Sequence, residues 1–167
     1  MAVDVTLVRT LRDQTGAGIM DCKQALEDSG GDIEKAAKAL REKGVASATK
    51  RVGRDTNEGV IETYLHTGGR VGAMVELGCE TDFVARTDEF QKLAHDIAMQ
   101  VAAMGPIYVD KDEIEDGDDR PPAQISLMQQ PFIKNSSSSV GEMVTELAGK
   151  VGENIRVVRF TRLAVGE

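Results

Sequence analysis

The stretch VGAMVELGCETDFVAR, residues 71–86, decides the fold. In its first half Val71, Ala73, Val75 and Leu77 alternate with Gly72, Met74, Glu76 and Gly78, and a period of two is that of a half-buried strand. Beyond it, Phe90, Leu93, Ala94, Ile97, Ala98 and Val101 recur at helical spacing. CETDFVAR, residues 79–86, is therefore a strand-to-helix turn, and it sets a large apolar ring, Phe83, beside Asp82 and just after Glu80. Two readings fit. The ring tucks under the strands, or it stands out as a wedge while Glu80 and Asp82 keep the turn hydrated. Periodicity accommodates both.

Working upstream, VIETYLH (60–66), the turn TGGR and VGAMVELGC make a β-hairpin signal. GRDTNEG, residues 53–59, is polar and turn-rich and reads as a linker. Residues 1–52 read as a small helical module. A first helix carries Val5, Val8 and Leu11 and stops at TGAG (15–18). A second carries Ile19, Cys22, Ala25 and Leu26 on an inward stripe and ends at Gly30 and Gly31. Asp32 caps a third, which runs through Ile33, Ala36, Ala37 and Leu40 and closes at Gly44. A fourth short piece, VASATKRV, follows.

Working downstream, the long helix ends near Met104, Gly105 and Pro106, and IYV (107–109) reads as a short strand. An acidic loop at 110–122, and the RPPA (120–123) that ends it, read as loop, and LMQQPFI is apolar but interrupted by Pro131. NSSSS reads as a flexible lead-in whose last Ser caps a helix carrying Val140, Met143, Val144, Leu147, Ala148 and Val151. NIRVVRFTRLAV closes as a strand. Residues 60–167 thus form strand, strand, helix, excursion, helix, strand, an α+β core with helices packed on one face of a small, mainly antiparallel sheet.

The charge pattern narrows the function. Of the net charge of −8 over 167 residues, the run DKDEIEDGDD (110–119) alone carries −6. An acidic chain lacks the basic surface that phosphate neutralisation needs, so no direct nucleic-acid contact is expected. No apolar run is long enough for a membrane and the start has no signal-peptide pattern, which places the chain in the cytoplasm. Cys22 and Cys79 lie in apolar patterns without CxxC spacing and read as free, buried thiols.

Catalytic templates find no match. GGRVGA sits in a hairpin turn and lacks the GxxxxGK[ST] of a phosphate loop. His66 and His95 have no metal-ligand spacing, the serines lack a nucleophile elbow, and the acidic run lacks EF-hand spacing. No cofactor, metal site or enzymatic activity is expected. Interaction templates do better. Arg12, Ile19, Met20 and Lys23 bracket the TGAG break, and Met is adaptable at binding surfaces, although Met20 would equally fill a small core.

TGAGIMDCKQAL (15–26), GDIEKAAKALREKG (31–44), CETDFVAR (79–86), QPFIK (130–134) and GKVGENIRVVRF (149–160) together resemble the bacterial translation elongation factor Ts family, in the family's order and over nearly the whole chain. The resemblance implies a guanine nucleotide exchange factor for the GTPase elongation factor Tu, in its GDP-bound and nucleotide-free forms. It implies that the helical module resembles a UBA domain and docks on the GTPase through Arg12, Ile19, Met20 and Lys23. Many relatives have Met where Ile19 stands. It implies that the turn Thr81, Asp82, Phe83 and Val84 is the exchange wedge, entering the GTPase near the nucleotide. Longer members carry a duplicated core and in many cases a helical hairpin, where this chain has one core and the acidic loop. Short single-core members pair, so a homodimer, through exposed strand edges, is expected. The competing reading is a UBA-like adaptor for another protein without exchange activity, which leaves CETDFVAR without a purpose.

Overall fold

A computed structural model describes residues 4–167. Three helices come first: α1 (Val5–Thr15), α2 (Ile19–Asp28) and α3 (Ile33–Thr49). Asp4 and Asp32 cap α1 and α3 by accepting from the amides of Thr6 and Lys35. At the other end of α1, Gly16 takes the left-handed conformation, φ 68°, and returns its amide to the Arg12 carbonyl. Val8, Leu11, Cys22, Ala25, Leu26, Ala36 and Leu40 form a small core between the three.

The third helix does not close at Gly44, and no fourth helix follows. α3 runs on to Thr49. Gly44 serves packing rather than termination: a Cβ on Gly149 would lie 2.7 Å from the Gly44 carbonyl carbon and 2.8 Å from its oxygen. The two glycines thus bring α3 backbone to backbone against α7 (Val140–Val151). Beyond that crossing Ala48 enters the larger core. Lys150 on α7 packs its side chain against Gly16, and Arg41 pairs with Glu146 at 3.0 Å.

The sheet has three antiparallel strands, β1 (Glu58–Leu65), β2 (Val71–Cys79) and β5 (Ile155–Ala164), in the order β1-β2-β5. Val60 faces Leu77 and Tyr64 faces Ala73 across the hairpin; Ala73 faces Arg162, with a bulge after Glu76 on the β5 side. The expected alternation of β2 holds, with Ala73, Val75, Leu77 and Cys79 buried. They pack on Phe90, Leu93, Ala94, Ile97, Ala98 and Val101 of α5 (Asp88–Met104), with Val140, Val144 and Ala148 of α7 alongside. Helices cover one face of the sheet, as the α+β reading expects. The other face is bare: Ile61, Leu65, Met74 and Leu163 are all more than half exposed.

Residues 105–139 fold back over the end of α5. IYV is not a strand; Tyr108 makes only an isolated parallel bridge to Ser126. The acidic stretch holds a 3-10 turn at Lys111–Glu113, and α6 (Pro122–Ile125) is a single turn. NSSSS is ordered rather than a flexible lead-in: it forms β4 (Asn135–Ser139), paired with β3 (Pro131–Phe132). A buried amide holds this hairpin down. Gln100 Nε2 donates to Gln130 Oε1 and to the Pro131 carbonyl, its Oε1 accepts from the Ile133 amide at 2.9 Å, and Lys134 reaches Asp96 at 2.6 Å. Ser139 caps α7 in a reciprocal capping box with Glu142.

Candidate functional site

The four candidate docking residues, Arg12, Ile19, Met20 and Lys23, are all exposed. Met20 is 73% exposed, which excludes it as core filler, and the small core closes without it. Ile19 is 54% exposed and not on the inward stripe. It is the first residue of α2, and its spacing to Cys22 and Leu26 does not bury it. The break between the helices is rigid: Thr15 Oγ1 donates to the Leu11 carbonyl and accepts from the Ala17 amide.

Past β2, the chain enters the one-turn helix α4 (Asp82–Ala85), capped by Thr81. Its four side chains split between two environments. Val84 and Ala85 are buried in the larger core. Phe83 points away from it and is 79% exposed, the most exposed large apolar side chain among the described residues. Asp82 is partly exposed and pairs with Arg86 at 2.9 Å. The reading of a ring tucked under the strands is thereby excluded. Within the predicted Thr81–Val84 set, Val84 anchors the turn from beneath instead of standing out with the ring.

Residues far along the chain hold the turn. Glu153, between α7 and β5, accepts from the Glu80 amide (3.2 Å) and the Thr81 amide (3.1 Å) on one carboxylate oxygen and from Thr81 Oγ1 (2.6 Å) on the other. The Asn154 amide donates to Glu80 Oε1 at 2.6 Å, and Asn154 Nδ2 donates to the Arg54 carbonyl. Arg54 in turn approaches Glu80 at 3.5 Å. The thiol of Cys79 donates to the Thr81 carbonyl, and burial, with the Glu153 charge second, pushes it up to about 11. Local spacing reveals none of these partners, because Glu153 lies 72 residues from Thr81; the segment GEN within GKVGENIRVVRF is the one signal that reaches them.

Elsewhere several titratable groups pair with one another. His95 Nδ1 lies 3.1 Å from Glu62 Oε1, and Tyr64 packs edge-on against the His95 ring and hydrogen-bonds His66. Among the described residues, no three His, Cys, Asp or Glu side chains converge on a metal site, and no helix is long and apolar enough to cross a membrane. Cys22 and Cys79 are both free and buried.

Comparison with known proteins identifies the family. The family model for elongation factor TS matches residues 10–118. The chain is 47% identical over 196 residues to elongation factor Ts of Synechococcus sp. (strain RCC307), covering 99% of this chain and 90% of that protein. It is 44% identical over 195 residues to elongation factor Ts of Thermotoga petrophila, covering 100% of this chain and 98% of the relative. The Thermotoga alignment runs to 195 positions against 167 residues, so 28 of them have no counterpart in this chain. With this identity over nearly its whole length, the chain belongs to the elongation factor Ts family.

Proposed function

We propose that this protein is a guanine nucleotide exchange factor for elongation factor Tu, acting through protein contacts and not as an enzyme. The observation that carries the reading is Phe83, a large ring 79% exposed on a turn whose leading amides are held by Glu153 and whose following residues, Val84 and Ala85, are buried in the core. A ring already held in place loses little conformational freedom when it enters a partner. Arg12, Ile19, Met20 and Lys23 dock the helical module on the GTPase. Thr81, Asp82 and Phe83 enter near the nucleotide, with Val84 as their footing, and disturb the Mg²⁺ and phosphate-loop contacts that retain GDP. The thermodynamic requirement is differential binding: the factor must hold nucleotide-free elongation factor Tu more tightly than the GDP form, and GDP then weakens the factor by the same ratio.

The reading extends to a cytoplasmic homodimer. Ile61, Leu65, Met74 and Leu163 make the bare face of the sheet apolar, with Val165 beside them. A second copy seated there would cover them on both chains, as an isologous interface does. These side chains lie on the face of the sheet, not along its edges, which favours pairing face to face over the edge pairing the resemblance suggests. A plain adaptor would need neither the projecting ring nor its supports.

The test is release of fluorescent GDP from elongation factor Tu. Phe83→Ala is expected to slow stimulated release by about tenfold or more, equivalent to about 1.4 kcal/mol or more of lost transition-state stabilisation. Its melting temperature should stay close to wild type, since exposed substitutions move stability by about 0.5 kcal/mol or less. Met20→Ala should raise the concentration of factor needed for half-maximal release and leave the maximal rate near wild type. A folded Phe83→Ala protein that stimulates normally removes the wedge.

A further inference from the structure

We propose that Glu153 is a positioning residue for exchange: its carboxylate sets the backbone from which Phe83 projects. The inference rests on the wedge reading above and adds the residue that governs it. Phe83 is largely solvent-exposed, so its own side chain contributes little to its placement. Its position is inherited from the backbone on either side: Val84 and Ala85 sit in the core after it, and the peptide units before it set the direction of entry. Those units leave the sheet at Cys79, whose partners are Glu58 and Ile155. The next two amides, of Glu80 and Thr81, both donate to Glu153 Oε2, and the Thr81 hydroxyl donates to Oε1.

Three donors converge on one side chain, and a carboxylate, which only accepts, satisfies all three; bonds to an ionised acceptor are shorter and about twice as strong as neutral ones. The arrangement is reciprocal. Glu80, from the wedge turn, accepts the Asn154 amide, while Glu153, from the opposite turn, accepts the Glu80 amide. The turns after β2 and after α7 therefore clasp each other through two carboxylates. Thr81 also caps α4 through its acceptance from the Val84 amide. Glu153 thus fixes the rotamer of the residue that starts the helix bearing Phe83.

The experiment compares maximal stimulated GDP release for wild type, Glu153→Ala, Glu153→Gln, Phe83→Ala and the double variant Glu153→Ala/Phe83→Ala. Glu153→Ala should lower the maximal rate by about tenfold. The half-saturating concentration should move by less than about twofold, because the docking residues lie on other elements. Glu153→Gln keeps one oxygen for the two amides and should lose only about threefold. In the Phe83→Ala background, Glu153→Ala should cost less than about twofold further, since a residue acting only through the ring has nothing left to position. Amide hydrogen exchange at Glu80 and Thr81 should speed up in Glu153→Ala. Should Glu153→Ala fail to fold, Glu153→Gln carries the same comparison, with a loss of about threefold that vanishes in the Phe83→Ala background.

The inference is overturned if the loss is as large without the ring as with it, or if Phe83→Ala slows release and neither Glu153 variant does. If Phe83→Ala itself leaves release unchanged, the wedge reading fails, and the positioning role fails with it.

Discussion

Phe83 and Val84 are neighbours in the chain and opposites in environment, one at 79% and the other at 9% exposure. A one-turn helix contains no period, so the pattern that placed β2 and α5 could not orient these two residues. What orients them is tertiary: Val84 enters the larger core, and Glu153, out of reach of any local pattern, holds the amides before them. Spacing puts Ile19 on the inward stripe yet it stands exposed for a related reason: spacing assigns a face, but the first residue of a helix can stand beyond the core that its face meets. Met20 was open on pattern alone, and three-helix packing put it outside. Cys79 offers a probe of the clasp. Its thiol, pushed up to about 11, is both sealed in and far from ionised near about pH 8. A thiol-reactive dye should leave the native protein unlabelled over the time in which the denatured chain reacts completely. Fast labelling of native Cys79 would mean that the turn opens readily and is not the rigid mount described here.

Among the elements, the crossing of α3 and α7 makes an asymmetric prediction. A methyl on Gly149 would strike the backbone of α3 at 2.7 Å, whereas one on Gly44 would rest at 3.6 Å from α7, in ordinary contact. Gly149→Ala is expected to destabilise the protein by about 1–3 kcal/mol through overpacking. Gly44→Ala should be neutral or stabilise by up to about 1 kcal/mol, as replacing a helical glycine does. Chemical denaturation of the two variants checks the pair, and equal losses would mean that the helices do not cross in this geometry. The sequence reads Gly44 as a stop because glycine commonly follows a helix end; only the opposing glycine, 105 residues on, shows its use. Similarly, NSSSS has little strand propensity of its own. The hydrogen bonds of Gln100 to Gln130, Pro131 and Ile133 hold the adjoining segment in place, and no local window includes both sides. By contrast, the alternation of β2, the existence of β5 and the stripes of α5 and α7 are legible, because each element packs one face on a single core.

For the whole molecule, the bare sheet face predicts the state of assembly. Wild type should sediment at twice 18.0 kDa and Leu163→Arg at 18.0 kDa, with no loss of helix by circular dichroism, since Leu163 is 74% exposed. A monomeric wild type at micromolar concentration, or a variant that still pairs, would rule out the face-to-face dimer. The general architecture, helices and then an α+β core, was readable from end to end. The joint between its parts was not: α3 belongs to the small core at one end and to the large core at the other. Strand order adds a constraint in time. β5 pairs with β2 across 76 to 93 residues, and Glu153 lies just before it. On a translating ribosome the helices at the start can form early, yet the middle strand waits for its second neighbour, and the aromatic tip for its brace, until the last strand has emerged. A nascent chain stalled short of residue 153 would thus carry the docking helices without a working lever.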